Sequence, residues 1–207
     1  MISSGKMEET EAKFYVSDLK RFEARLQELE ALLIQPRVLE INLRFDLPGG
    51  GLRSEGRVLR LRQDTEARLT YKGGSVNQQG VLKRTEIEFI VEDFEKARQF
   101  LEALGYRRLF YYEKYRTTYE FGRCHIMLDE LPYGNFVEIE GESVEVIQIA
   151  ARELDLKWDA AIPTSYHALF DRLCQRYPAL ISTDLSFAAL QGITVTAADL
   201  SVQPADD

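Results

Sequence analysis

A chain of 207 residues with 45% hydrophobic and 29% charged side chains has ordinary globular composition, enough for one good-sized core or two small ones. Its net charge of −8 argues against a nucleic-acid backbone as the main partner, although a net charge does not exclude a local basic pocket. No apolar run approaches the roughly 18 residues that span a bilayer, the opening MISSGKM lacks an apolar signal core, and Cys124 and Cys174 make neither a disulfide framework nor a zinc motif, so the expectation is a cytoplasmic protein with no membrane partner.

Residues 1–6 read as a leader or expression scar, with Met7 as the natural start. The stretch EETEAKF, 8–14, alternates Glu9, Glu11 and Lys13 with Thr10, Ala12 and Phe14, the period-two mark of a strand with two unlike faces. SDLKRFEARLQELEALL follows as a helix capped by Ser17 or Asp18, with Leu19, Phe22, Leu26, Leu29 and Leu33 in one apolar stripe. A strand is expected at about 37–46, then the loop PGGGLRSEG, strands at 57–63 and 67–72, the loop GGSVNQQG, and a long strand near 82–91. DFEKARQFLEALG reads as a short helix that Gly105 terminates. Strands fit 108–121, 124–130 and 135–140, and helices fit 143–155 and 165–176. From Pro178 onward the expectation is a weakly packed or partly disordered tail, 178–207, after a single domain over 7–177.

The two-faced pattern recurs in every strand. Glu40, Asn42, Arg44 and Asp46 oppose Ile41, Leu43 and Phe45; Arg60 and Arg62 oppose Leu59 and Leu61; Arg68, Thr70 and Lys72 oppose Leu69 and Tyr71. Arg84, Glu86 and Glu88 oppose Thr85, Ile87 and Phe89; Lys114 and Arg116 oppose Tyr115 and Thr117; Asp129 opposes Leu128; Glu138 and Glu140 oppose Val137 and Ile139. Two architectures satisfy this. An open sheet buries its apolar face under helices and leaves the charged face in water. A closed barrel holds the charges inside and wears the helices outside; eight strands suffice for a small lumen, and closure removes unpaired edges. A solvated face tolerates Ser, Thr, Gln and Lys in any mixture, whereas here Arg and Glu dominate in near balance. Periodicity alone leaves both architectures open.

The residues carry a resemblance. EETEAKF holds a Glu-x-Glu-x-Lys signature, and RLR at 60–62, TYK at 70–72, EIE at 86–88, EKYR at 113–116, LDEL at 128–131 and FVEIEG at 136–141 follow in order. The chain resembles the CYTH domain, or triphosphate tunnel metalloenzyme, superfamily, which includes class IV adenylate cyclases, thiamine triphosphatases and inorganic tripolyphosphatases. The resemblance covers roughly residues 7–175. It implies an α+β fold: a closed eight-stranded antiparallel β-barrel, or tunnel, with a charged interior and helices packed outside.

Such a lumen suits a polyanion. Converging Arg and Lys side chains offer forks and point charges to phosphate oxygens. Carboxylates in the same space repel the ligand unless a hard divalent cation lies between them. By resemblance, Glu9 and Glu11 join Glu138 and Glu140 in holding Mg²⁺ or Mn²⁺, with Asp129 a further candidate. Lys13, Arg60, Arg62, Lys72, Arg84, Lys114 and Arg116 bind the phosphates. Glu86 and Glu88 hold a second metal or orient the attacking water, and with Lys13 make up the catalytic set. For Glu88, Arg68 and Arg44 an ion pair that only satisfies the barrel is an equal reading. His125 and His167 read as structural or surface residues, and PGGG is no P-loop because no Gly-Lys-Ser/Thr follows.

The partner implied is a triphosphate-containing small molecule, not a nucleic acid. Three activities remain: metal-dependent hydrolysis of inorganic tripolyphosphate, thiamine triphosphate or a nucleoside triphosphate; cyclisation of ATP to cyclic AMP and pyrophosphate; and polyanion binding without turnover. The family often has an Asp-x-Tyr-Phe stretch on its second strand, where this chain has NLRF at 42–45. Arg44 adds a positive group near the phosphates and Asn42 removes a negative one, which favours an inorganic or small triphosphate over a cyclase substrate.

Overall fold

The structure, a computed structural model, describes residues 10–73, 76–78, 81–83 and 85–206. Glu9 and Arg84, both expected in the site, lie outside the described residues. In chain order the elements are β1 (Thr10–Val16), α1 (Leu19–Glu28), β2 (Leu32–Asp46), α2 (Gly51–Ser54), β3 (Val58–Gln63), β4 (Ala67–Lys72), β5 (Val76–Gln78), β6 (Val81–Lys83) and β7 (Glu86–Val91). They continue with α3 (Phe94–Ala103), β8 (Arg107–Phe121), β9 (Cys124–Leu131), β10 (Gly134–Gly141), α4 (Val144–Glu153), a 3-10 turn at Trp158–Ala160, α5 (Tyr166–Arg176), β11 (Asp184–Leu185) and α6 (Ala197–Leu200). Among the described residues, no helix is long and apolar enough to cross a membrane.

The strand order along the main sheet is β1-β10-β9-β8-β2-β3-β4-β7, with β11 on β8, while β5 and β6 pair as a separate ribbon. The pairings with a defined register are all antiparallel. The antiparallel sheet with helices is therefore as expected. Its path has two ends, β1 and β7; closure into a tunnel is a further step, proposed below.

The chain forms two compact units. The first, Glu40–Tyr112, packs Leu43 and Phe45 of β2, Leu52 of α2, Leu59 and Leu61 of β3 and Leu101 of α3 into one core. The second takes residues 10–39 and 113–206. Its core joins Phe14 and Val16, Phe22 and Leu26 of α1, Ile126 and Leu128, Val137 and Ile139, and Ile147 and Leu154 around α4. These are the apolar faces read from the alternation, and each fully buried Leu, Ile or Phe contributes about 1.5–3 kcal/mol. The opposite face is buried in part. Lys13, Lys114, Asp129 and Glu138 in the second unit, and Glu40, Asn42 and Thr70 in the first, are at most 5% exposed. Glu11, Glu86 and Glu88 are exposed, and so are Ile87 and Phe89 on the side of β7 read as apolar.

Three expectations change. The first helix ends at Glu28, not at Leu33, because Leu29 caps it, Glu30 takes the left-handed conformation at φ 55°, and Leu32–Asp46 extends as β2. Leu33 thus leaves the helical stripe, since sheet pairing overrides helical propensity there. The long strand near 82–91 is two: β6 pairs with β5 while β7 pairs with β4. The tail is packed, not loose: Leu185, Leu190, Leu200 and Ala205 are buried, Ala205 N–H donates to the Tyr15 carbonyl at 2.9 Å, and the Asp206 carboxylate accepts from Ser17 N–H at 2.8 Å. Gly105, at φ 91°, ends α3 as read. Gly134, at φ 150°, is required in the β9–β10 turn, because a Cβ there would lie 2.8 Å from the Tyr15 ring.

Candidate functional site

In the second unit, register brings the charged residues together. Glu11 faces Glu140 and Lys13 faces Glu138 across β1 and β10; Arg116 faces Asp129 across β8 and β9; Phe136 faces Asp129 across β10 and β9. Facing residues point to one side of a sheet, so these side chains share a face. Lys13 Nζ donates to Glu138 Oε1 at 2.9 Å, and Arg116 donates to the other Glu138 oxygen. Arg116 also forks onto Asp129, Nε to Oδ1 at 2.6 Å and Nη2 to Oδ2 at 2.5 Å. Lys114 Nζ donates to Asp129 Oδ2 at 3.0 Å, and the Tyr166 hydroxyl at the start of α5 donates to the same oxygen at 2.8 Å. Burial works to raise the Asp129 carboxyl, but Arg116 and Lys114 beside it hold it well below the usual carboxylate range. Burial, with Asp129 and Glu138 nearby, pushes the Tyr166 hydroxyl well above its ordinary value, so it serves as a donor. Lys13, Lys114 and Arg116 share Asp129 and Glu138 in this network, and Lys13 Nζ also lies 3.9 Å from Glu11 Oε1. Three cations converging on one face offer donors to an anion.

The first unit presents a second charged face. Arg44 faces Arg60, Arg60 faces Thr70, and Thr70 faces Glu88; Arg62 faces Asn42 and Arg68; Lys72 faces Glu86. Like charges directly opposite each other are destabilising unless something negative lies between them. Glu88 accepts from Thr70 at 2.7 Å and stands 3.7 Å from Arg60 and 3.8 Å from Arg62. Lys72 Nζ lies 3.0 Å from Glu86. Arg68 is engaged by Asp64 and Glu66, the ion-pair alternative raised for it. The Nε groups of Arg57, Arg60 and Arg62 are buried and make no hydrogen bond, although Arg62 Nε lies 3.6 Å from Asp64 Oδ2. A ligand or water oxygen can supply the acceptor such a donor lacks.

All the carboxylates singled out for a metal are oxygen donors, which suits Mg²⁺ or Mn²⁺. Glu11 and Glu140, set opposite each other, are the pair that fits best, since a cation between them relieves their repulsion. Asp129 has both oxygens engaged by Lys114, Arg116 and Tyr166, and Glu138 by Lys13 and Arg116. Among the described residues no three His, Cys, Asp or Glu side chains converge.

The structure thus unites Lys13, Lys114, Arg116, Asp129 and Glu138 in one network and Arg60, Arg62 and Glu88 in another. Sequence reading missed Tyr166, Thr70 and Glu40. Thr70 and Glu40 lie on the charged alternation and could have been included. Tyr166 stands at a helix start, where no strand period points to it. His125 is exposed, and His167 lies 3.5 Å from Asp171, a surface pairing.

The comparisons with known proteins bear on the fold and the family. The model of the CYTH domain matches residues 7–159. No curated protein matches the chain by sequence. A candidate adenylate cyclase from Vibrio parahaemolyticus is similar in structure, with TM-score 0.64 and 22% identity over 76% of this chain and 94% of that one. A conserved hypothetical protein from Pyrococcus furiosus gives TM-score 0.62 and 25% identity, covering 77% of this chain and 98% of its own. A candidate adenylyl cyclase from Hippeastrum, described as having a dominant triphosphatase activity, gives TM-score 0.57 and 18% identity over 80% and 95%. With its ordered motifs, its antiparallel sheet and a family match over most of its length, the chain belongs to the CYTH domain family.

Proposed function

We propose that the protein is a divalent-metal-dependent triphosphatase, working in the cytoplasm inside a closed, charged tunnel. CYTH proteins act on triphosphates, and the observation that carries the reading further is the run of part-buried arginines facing one another on β2, β3 and β4, with Nε donors of Arg60 and Arg62 that make no hydrogen bond. Phosphate oxygens supply the acceptors they lack, in the planar fork geometry that suits guanidinium. Lys72 and Arg84 join them as phosphate ligands. In the second unit Lys13, Lys114 and Arg116 hold phosphate oxygens.

Glu11 and Glu140, with Glu9 and Glu138, are the residues for Mg²⁺ or Mn²⁺, and Asp129 fixes the cations beside them. Bound there, the metal offsets charge on the phosphate oxygens as a P–O bond breaks. Glu88, bonded to Thr70 and within 4 Å of two arginines, is our candidate for orienting the attacking water, with Glu86 beside Lys72 in support. The extra positive charge of Arg44, facing Arg60, favours inorganic tripolyphosphate or another small triphosphate.

The Vibrio neighbour's description favours a second reading, ATP cyclisation. A panel of tripolyphosphate, thiamine triphosphate and ATP, each with Mg²⁺ and with Mn²⁺, separates the two by the phosphate, pyrophosphate and cyclic AMP released. The expected result is phosphate without cyclic AMP, abolished by a chelator and restored by the metal. Cyclic AMP with pyrophosphate selects the cyclase, tight binding without turnover selects a binding module, and full turnover in chelator removes the metal from the account.

A further inference from the structure

Tyr166 lies beyond the stretch matched to the family, which ends at residue 159, yet it reaches the most buried charges of the second unit. Ser165 caps α5 by accepting from Ala168 N–H at 3.2 Å, and so sets Tyr166 in the first turn. The Tyr166 carbonyl accepts from the Tyr133 hydroxyl at 2.9 Å, and its ring packs edge-on against Phe136 at 5.0 Å. With backbone and ring both fixed, the hydroxyl meets Asp129 while the ring face carries Lys13 Nζ at 4.3 Å and Lys114 Nζ at 5.2 Å from its centroid.

We propose that Tyr166 is a positioning residue for the anion site, holding Lys13 and Lys114 in place while leaving their charge available to the ligand. The proposal rests on the triphosphate reading for its ligand but not for its geometry. A further carboxylate in this position would also hold the lysines, but its negative charge would repel an incoming anion. An aromatic face attracts an ammonium through its quadrupole and adds no formal charge. The hydroxyl meanwhile takes up a lone pair of Asp129, which keeps that carboxylate turned toward Lys114 and Arg116 and away from the incoming anion. Two lysines held in advance lose less freedom when the ligand binds.

The test separates ring from hydroxyl. In Tyr166→Phe the ring stays, and tripolyphosphate affinity measured by calorimetry should fall only about two- to fivefold, because the hydrogen bond lost is made to Asp129 and not to the ligand. In Tyr166→Leu the ring goes, and affinity should fall about tenfold or more, with KM rising more than kcat falls. Stepwise fluorination of a phenylalanine at 166 weakens the quadrupole without changing the shape, so affinity should decline with each fluorine at a constant unfolding midpoint. A flat fluorine series would overturn the proposal, as would equal affinity in Tyr166→Leu and wild type. Should wild type neither bind nor cleave tripolyphosphate, the triphosphatase reading fails by itself. Positioning is then read from the lysine side-chain NMR signals of the free protein: a ring-current shift at Lys13 that Tyr166→Leu abolishes supports it, and an unchanged Lys13 signal sinks it.

Discussion

Replacing Asp129 with asparagine tests the buried network directly. The change keeps shape and removes one negative charge from a fully buried position where Lys114, Arg116 and Tyr166 all donate. In the wild type Asp129 neutralises Lys114 and Arg116; in Asp129→Asn one negative charge is lost and both cations are left beside a neutral amide. Withdrawing one partner of a buried ion pair costs about 3–5 kcal/mol. In a protein of this length each kcal/mol moves the melting temperature by about 2–4 °C, so a drop of roughly 6–20 °C is expected. Urea unfolding followed by circular dichroism gives the free energy, and calorimetry gives the temperature. Adding Lys114→Met should restore about half the loss, because one cation is then removed along with the lost negative charge. A loss below about 1 kcal/mol, or a double variant less stable than Asp129→Asn, would mean that the charges are screened by solvent and that the network is not the buried unit described.

Two further outcomes follow from other residues. Arg62→Met should weaken tripolyphosphate binding by roughly tenfold to a hundredfold, the size of one charge-assisted contact, and lower the unfolding midpoint, since Glu40, Asp64 and Glu88 each lose a cationic neighbour; isothermal titration and melting on the same sample check both. Asp46 caps α2 by accepting from Leu47, Leu52 and Arg53 N–H groups; burial works to raise its carboxyl, but these donors and Arg57 hold it below its ordinary value. Its stabilisation is therefore present above about pH 4 and lost as pH falls toward the depressed folded value, so the urea-midpoint gap between wild type and Asp46→Asn should be large at pH 7 and shrink below pH 4.

Alternation along the strands was a reliable guide because a strand has only two faces, and one residue of slip exchanges them. Lys13, Arg116, Asp129 and Glu138 were legible for that reason: each lies on the charged side of its own strand, and antiparallel register does the rest. Leu33 was misread because an apolar residue at helical spacing also suits the start of a strand, and only pairing decides between them. The packed tail was hidden for a different reason. Leu185 and Leu200 are scattered singly among small and polar residues, so no local period announces that they are buried. Tyr166 was invisible in the same way, since its partners come from strands far from it in the chain.

The two units differ in how they are strung on the chain. Glu40–Tyr112 is continuous, whereas the other unit needs both ends of the chain: β1 pairs with β10, and Ser17 binds Asp206 across 189 positions. Loop closure over such a span is entropically costly, and the cost falls once the intervening residues have collapsed. The continuous unit is thus favoured to form first, with Arg60 and Arg62 already in register, while Lys13 waits for β10 and Tyr166 for α5. Until then β1 is an unpaired strand whose apolar side, Phe14 and Val16, lies open to any other strand edge. Refolding should therefore show the Lys13–Glu138–Arg116–Asp129 network as its slow phase, and β1 as the segment through which aggregation begins.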